Sequence, residues 1–182
     1  MGKAALYNWY PVSSIAVYNG TTLLHFVVGG LVLLFSSRFF GTMGIAVAAL
    51  YLSFSLLEMY VMMPRQVCRN CVYFRLENAL CISGLNVAAK RFAKPGNPED
   101  FPRRATGVFC PNNLYIFSLA FPIACGIPIL VFNFSPLLLS LELFLFVLLA
   151  TRFMIIIPRL ACVHCLSKFV CPQAGLMGVR EK

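Results

Sequence analysis

The stretch LLLSLELFLFVLLATRFMIIIPRLACVHC, residues 137–165, decides the fold. From Leu137 to Ile157 it is continuous apolar sequence interrupted by two charges, Glu142 and Arg152. A helix of about 20 residues crosses a hydrocarbon core of about 30 Å, so this run is long enough to span a bilayer. Without any linker, Pro158 and Arg159 then lead into the pair Cys162 and Cys165. The sequence therefore couples a membrane span directly to a metal-type cysteine motif.

Three more runs share the first property: about Ile15 to Phe35, Met43 to Met63, and Leu114 to Phe132. The first contains Asn19, Gly20, Thr21, Thr22 and His25, the second only Glu58 as a charge, and the third Pro122 and Pro128. Prolines of this kind are tolerated in a membrane helix when neighbouring helices re-satisfy the backbone. The runs are continuous rather than alternating, which favours helices over a barrel. Composition agrees: 60% of the 182 residues are hydrophobic and 12% are charged, with a mean hydropathy of +0.82. A soluble domain carries about a quarter charged residues, so a soluble enzyme is excluded. The net charge of +9 points to anionic lipid headgroups and not to nucleic acid. The expected fold is a single all-α integral membrane domain over residues 1–182, with a Cys-rich loop at 64–113 and a Cys-rich tail at 158–182.

Charge sets the expected orientation. The loop 64–113 carries Arg65, Arg69, Arg75, Lys90, Arg91, Lys94, Arg103 and Arg104; the tail adds Arg159, Lys168, Arg180 and Lys182, and Lys3 lies at the front. The two short connections on the other side hold Arg38 alone. Under the positive-inside rule both termini and the long loop face the cytoplasm, which places the chain in the plasma (inner) membrane. The N-terminal stretch has too weak a basic region for a cleavable signal, and Tyr7 to Pro11 reads as an aromatic anchor at the interface.

A shift of 94 residues superimposes Met63-Pro64-Arg65-Gln66-Val67-Cys68-Arg69-Asn70-Cys71 on Ile157-Pro158-Arg159-Leu160-Ala161-Cys162-Val163-His164-Cys165. Each copy continues to a third cysteine, Cys81 or Cys171, and then to Gly84-Leu85 or Gly175-Leu176. Fixed-period self-similarity of this kind marks an internal repeat. It predicts two repeated helical hairpins, related about the membrane normal. In each, the second helix is expected to stop at its proline, because the residue before a proline is pushed out of the α region. The glycines Gly29, Gly30, Gly41 and Gly44 read as sites of close helix packing.

Seven of the eight cysteines fall on the basic side: Cys68, Cys71, Cys81, Cys110, Cys162, Cys165 and Cys171, while Cys125 lies within the third span as a small apolar filler. A reducing compartment disfavours disulfides, and paired Cys-x2-Cys motifs there read as metal ligands. Thiolates hold zinc tetrahedrally or an iron–sulfur cluster through four sulfurs. Cys110 and Cys171 each precede a proline, as in bacterial ferredoxin ligand runs, which tilts the reading to iron–sulfur with zinc as the alternative. Two groupings stay open. In one, Cys68, Cys71, Cys81 and Cys110 close a site within the loop, leaving Cys162, Cys165 and Cys171 to find a fourth ligand such as His164. In the other, Cys68 and Cys71 pair with Cys162 and Cys165. The positive field of Arg65, Arg69 and Arg159 is expected to lower the thiol pKa values.

Ionisable residues inside a membrane each call for a role. The repeat offset aligns Glu58 with Arg152, which predicts an intramembrane ion pair, with snorkelling of Arg152 to the headgroups as the alternative. Glu142 is expected at the outer interface in contact with solvent, with proton handling as the alternative, and His25 in a helix-packing hydrogen bond, with a quinone headgroup as the alternative partner. The functional expectation is a membrane subunit holding a cysteine-ligated iron–sulfur centre at the cytoplasmic face for electron transfer. The alternatives are a zinc-knuckle anchor and a thiol–disulfide protein. A non-catalytic role fits better than an enzyme, because no histidine stands in the long loop and no phosphate-cradling glycine pattern occurs. Expected partners are the lipid bilayer and either other subunits at the cytoplasmic face or a second copy of the chain as a homo-oligomer.

Overall fold

The structure, a computed structural model, describes residues 4–105, 109–132 and 134–180, apart from the side chains of Phe39, Arg104 and Ala105. Lys3, Lys182 and the Arg104 side chain, all used in reading the orientation, lie outside the described residues. The described chain is helical, with one isolated bridge joining Trp9 to Leu80 in place of any strand. Helix α1 covers Val12–Leu34, α2 Ser37–Phe40 and α3 Thr42–Leu57. Helix α4 (Met63–Gln66), α5 (Val72–Arg75) and α6 (Leu85–Phe92) follow. Then come α7 (Pro111–Phe132), α8 (Pro136–Thr151) and the short α9 (Pro172–Leu176).

Four helices are long and apolar enough to cross a bilayer: Val12–Leu34, Thr42–Asn70, Pro111–Phe132 and Pro136–Cys162. The chain is therefore a membrane protein whose spans touch lipid. Helix α1 packs against α3, α7 and α8, and α7 against α3 and α8. Phe26, Leu33, Ala48, Tyr51 and Leu119 form one apolar core, and Val28, Val32, Ile123, Leu138 and Leu145 a second. Large apolar residues also cover the outer faces, among them Leu50 at 70% exposure and Met154 at 72%. An outward apolar belt suits lipid as its solvent and no aqueous surface.

The second and fourth spans overrun their expected ends. Neither stops at its proline. The chain winds into a wider π-helical turn at Glu58–Met62 before Pro64, and at Arg152–Cys162 around Pro158. A proline in an α-helix clashes with the carbonyl four residues earlier. A π turn shifts that carbonyl away, so the helix passes the ring instead of ending. Cys68 and Cys162 consequently stand on the continued helices, not on loops beyond them.

Glycine packing holds at three of the four positions. A Cβ on Gly29 would stand 2.7 Å from the Tyr51 hydroxyl and 2.8 Å from Pro122, one on Gly30 would meet Leu52 at 3.0 Å, and one on Gly44 would meet the Ser37 backbone. Gly41 instead takes a φ of +51° in the turn before α3 with nothing near it, so its role is conformational. His25 makes the inter-helix bond expected of it, its Nε2 lying 2.9 Å from the Leu119 carbonyl. Glu142 is not at a solvated interface. It is 3% exposed and occupies the space that a side chain on Gly126 would need, beside Val32. Gly29→Ala is expected to lower the thermal stability of the purified protein by about 1–3 kcal/mol, the usual cost of overpacking. An unchanged melting temperature would show that α1 does not approach α3 and α7 this closely.

Candidate thiol site at one end of the bundle

The site begins with the N-terminal segment, which folds over the end of the bundle instead of simply lying at an interface. Tyr7 N–H donates to the His164 carbonyl at 2.9 Å, Tyr10 N–H to the Leu80 carbonyl at 3.0 Å, and Leu80 N–H to the Asn8 carbonyl at 3.0 Å. Tyr10 is 1% exposed, and its hydroxyl donates to the Ala161 carbonyl on the fourth span. Only Trp9, 59% exposed, keeps the character of an anchor. Tyr73 joins the same seam: its hydroxyl donates to the Tyr7 carbonyl at 2.6 Å and accepts from Leu166 N–H at 3.3 Å. Asn86 ties α6 in by donating to the Ala79 carbonyl at 2.8 Å and accepting from Cys81 N–H at 3.1 Å.

These contacts frame a partly open cavity of about 170 Å³ lined by Cys68, Cys71, Cys81, Cys162, Cys165 and Cys171. Tyr10, Tyr73 and Phe101 supply aromatic wall, and Tyr18, Met59 and Tyr115 lie on the side toward the spans. Six of the seven candidate thiols thus open on one space. Cys110 does not line it. That residue is buried beside the start of α7, where its sulfur accepts from Asn113 N–H at 3.4 Å. The four-thiolate grouping within the loop is therefore not assembled around the cavity, whereas Cys68, Cys71, Cys162 and Cys165 all border it. His164 also stays out, since its ring stacks on Tyr7 at 4.3 Å and its Nδ1 lies 2.7 Å from the Ala5 carbonyl.

None of the described cysteines is in a disulfide. Cys71 lies 3.2 Å from the Ser167 hydroxyl, and Cys81 lies 3.4 Å from that of Ser83. Among the described residues, no group of three or more His, Cys, Asp or Glu side chains converges closely enough to hold a metal ion. The thiols surround a space and do not meet at a point.

At Cys165 the electrostatics run against the expected lowering of the thiol pKa. Cys165 is pushed up to about 12, first by burial and then by the neighbouring sulfur of Cys71, with Cys162 and Cys171 adding to it against an opposing bond from the Ser167 backbone. The same burial raises the phenols of Tyr10 and Tyr73 above their ordinary values. Arg65, Arg69 and Arg159 are all exposed, and Arg65 lies over the Phe92 ring at 5.7 Å. None of the three lines the cavity. Solvated guanidiniums do not offset desolvation of a thiolate.

The expected ion pair between Glu58 and Arg152 is not formed as a direct contact. The described residues contain one ion pair within 4.0 Å, Arg103 with Asp100 at 3.6 Å. Both carboxylate oxygens of Glu58, which is 0% exposed, lack a hydrogen-bond partner. Arg152 does not snorkel either, being 2% exposed. Its Nη1 donates to Thr22 Oγ1 at 2.6 Å, and its guanidinium lies over the rings of Tyr18 at 4.6 Å and Tyr115 at 5.1 Å. The offset therefore predicted a contact that the packing of the two helices does not make.

No protein-family model, curated protein or solved structure matches the chain.

Two outcomes follow. Glu58→Gln alone is expected to change thermal stability by less than about 1 kcal/mol, because no partner is lost, whereas breaking a buried pair costs about 3–5 kcal/mol. A loss of that larger size would restore the direct pair. In the full chain kept reduced and treated with chelator, alkylation of Cys165 followed by mass spectrometry should keep accelerating with pH well past the range where an ordinary thiol of pKa about 8.5 levels off. A plateau below about pH 9 would contradict the burial of this thiol.

Proposed function

We propose that the chain is a membrane-embedded metal-binding subunit whose cavity thiols hold an iron–sulfur centre at the cytoplasmic face, passing electrons to or from a partner. The observation that carries this reading is the single cavity bordered by six cysteines from both halves of the chain. A dithiol enzyme needs two thiols, one of them a good nucleophile; six thiols around one half-buried space suit a soft metal centre. Their spread favours a cluster over a single ion. Four sulfurs on one zinc at about 2.3 Å stand only about 3.8 Å apart, whereas a polynuclear core holds its ligands around a volume. Cys68, Cys71, Cys162 and Cys165 are the ligands of first choice, with Cys81 and Cys171 completing the set.

The repeat belongs to the same proposal. The two π-helical turns start 94 residues apart, at Glu58 and Arg152. Cys68 and Cys162, also 94 apart, border the same cavity. Two related hairpins would then clamp one centre between them. The basic residues of the loop and tail support a cytoplasmic position for this end of the bundle, in the plasma (inner) membrane.

The test is anaerobic purification of the full chain with iron, acid-labile sulfide and zinc measured per chain. Iron and sulfide in equal amounts, with a broad visible absorption bleached by a reductant, are expected. Cys68→Ser together with Cys162→Ser should abolish the metal, while Cys110→Ser and Cys125→Ser retain it. Zinc without sulfide would replace electron transfer by a structural anchor, and metal that survives the double change would overturn the site. Orientation has its own check. Glu99→Cys, in an exposed turn, should react with an impermeant thiol reagent only after cells are permeabilised, and reaction in intact cells would invert the topology.

A further inference from the structure

Among the described residues Arg152 is the largest side chain fully withdrawn from the surface, and its surroundings do not balance its charge. Its contacts are one hydroxyl, Thr22, a distant carbonyl of Tyr18 at 3.4 Å, and the faces of two tyrosine rings. Its Nε and Nη2 have no hydrogen-bond partner, and no carboxylate lies within 4.0 Å of it among the described residues. A buried cation lacking an anion is among the most costly arrangements in a protein. Ring quadrupoles relieve part of that cost but do not neutralise the charge. The two rings that cover the guanidinium, Tyr18 and Tyr115, are the same ones that line the thiol cavity on its span side. The unbalanced cation thus stands directly behind a wall of the cavity.

We infer that Arg152 is the fixed counter-ion of a net-anionic thiolate–metal centre in this cavity, acting across Tyr18 and Tyr115 as a positioning residue. The inference rests on the metal-site reading above. Four thiolates on a zinc ion or on an oxidised four-iron cluster leave a double negative charge in excess. In a medium of low dielectric such a charge is held by a nearby fixed cation far more strongly than in water. The arginines first assigned this role are solvated. Arg152 is the desolvated one.

The experiment uses the demetallated full chain in detergent, with zinc(II) as the probe in competition with a chromophoric chelator. Arg152→Met and Arg152→Gln, the second of which keeps a donor for Thr22, should each weaken zinc binding at least tenfold, while Arg152→Lys stays within threefold of the parent. Without metal, both neutral variants should melt no lower than the parent, because the charge they remove has no anion there. Metal should raise their melting temperature less than it raises that of the parent. Neutral variants that bind zinc as tightly as the parent, or that lose stability equally with and without metal, would overturn the inference and leave Arg152 a structural residue. A parent protein that takes up neither zinc nor, on anaerobic reconstitution with iron and sulfide, a cluster would instead remove the underlying reading.

Discussion

The widened turn that begins at Glu58 in one long helix and at Arg152 in the other is the constraint on which the rest of the molecule depends. A regular α-helix would end or kink at Pro64 and Pro158. Because the turn is wider, helical backbone continues to Asn70 and Cys162. The first thiol of each Cys-x2-Cys pair therefore rides on a rigid extension of a membrane span. Rigidity of that kind holds side chains in place at low entropic cost, which a pair of flexible loops cannot do.

Above those extensions the chain closes its own roof. The N-terminal segment bonds to Leu80 on one side and His164 on the other, and Tyr10 reaches the carbonyl of Ala161. Cys165 is desolvated as a result, which raises its pKa, and the exposed arginines do not line the site. Below, toward the spans, Arg152 is held by Thr22 and two tyrosine faces. Thiols, aromatic walls and a buried cation form one continuous polar region inside an apolar bundle, and polar groups in such a place ordinarily serve function.

The spans were legible in the sequence because long apolar runs have few other uses, and the cysteine motifs because their spacing is compact. The helix ends were not, since the proline rule describes α-helical geometry and π turns have no composition of their own. Tyr10 looked like an anchor because nothing local shows that residues 4–11 fold back over distant Leu80 and His164. The offset aligned Glu58 with Arg152, but sequence spacing does not fix how each helix is rotated, and the two side chains form no ion pair. Cys110 matched a ligand pattern through its proline, yet that proline begins α7, and the thiol serves the helix start.

The central claim is that sulfur from both halves of the chain surrounds one metal centre. X-ray absorption at the edge of the metal bound by the anaerobically purified protein tests it most directly. The account predicts a first shell made of sulfur at about 2.3 Å, lost when Cys68 and Cys162 are both replaced by serine. A first shell of nitrogen or oxygen at about 2.0–2.2 Å would contradict it.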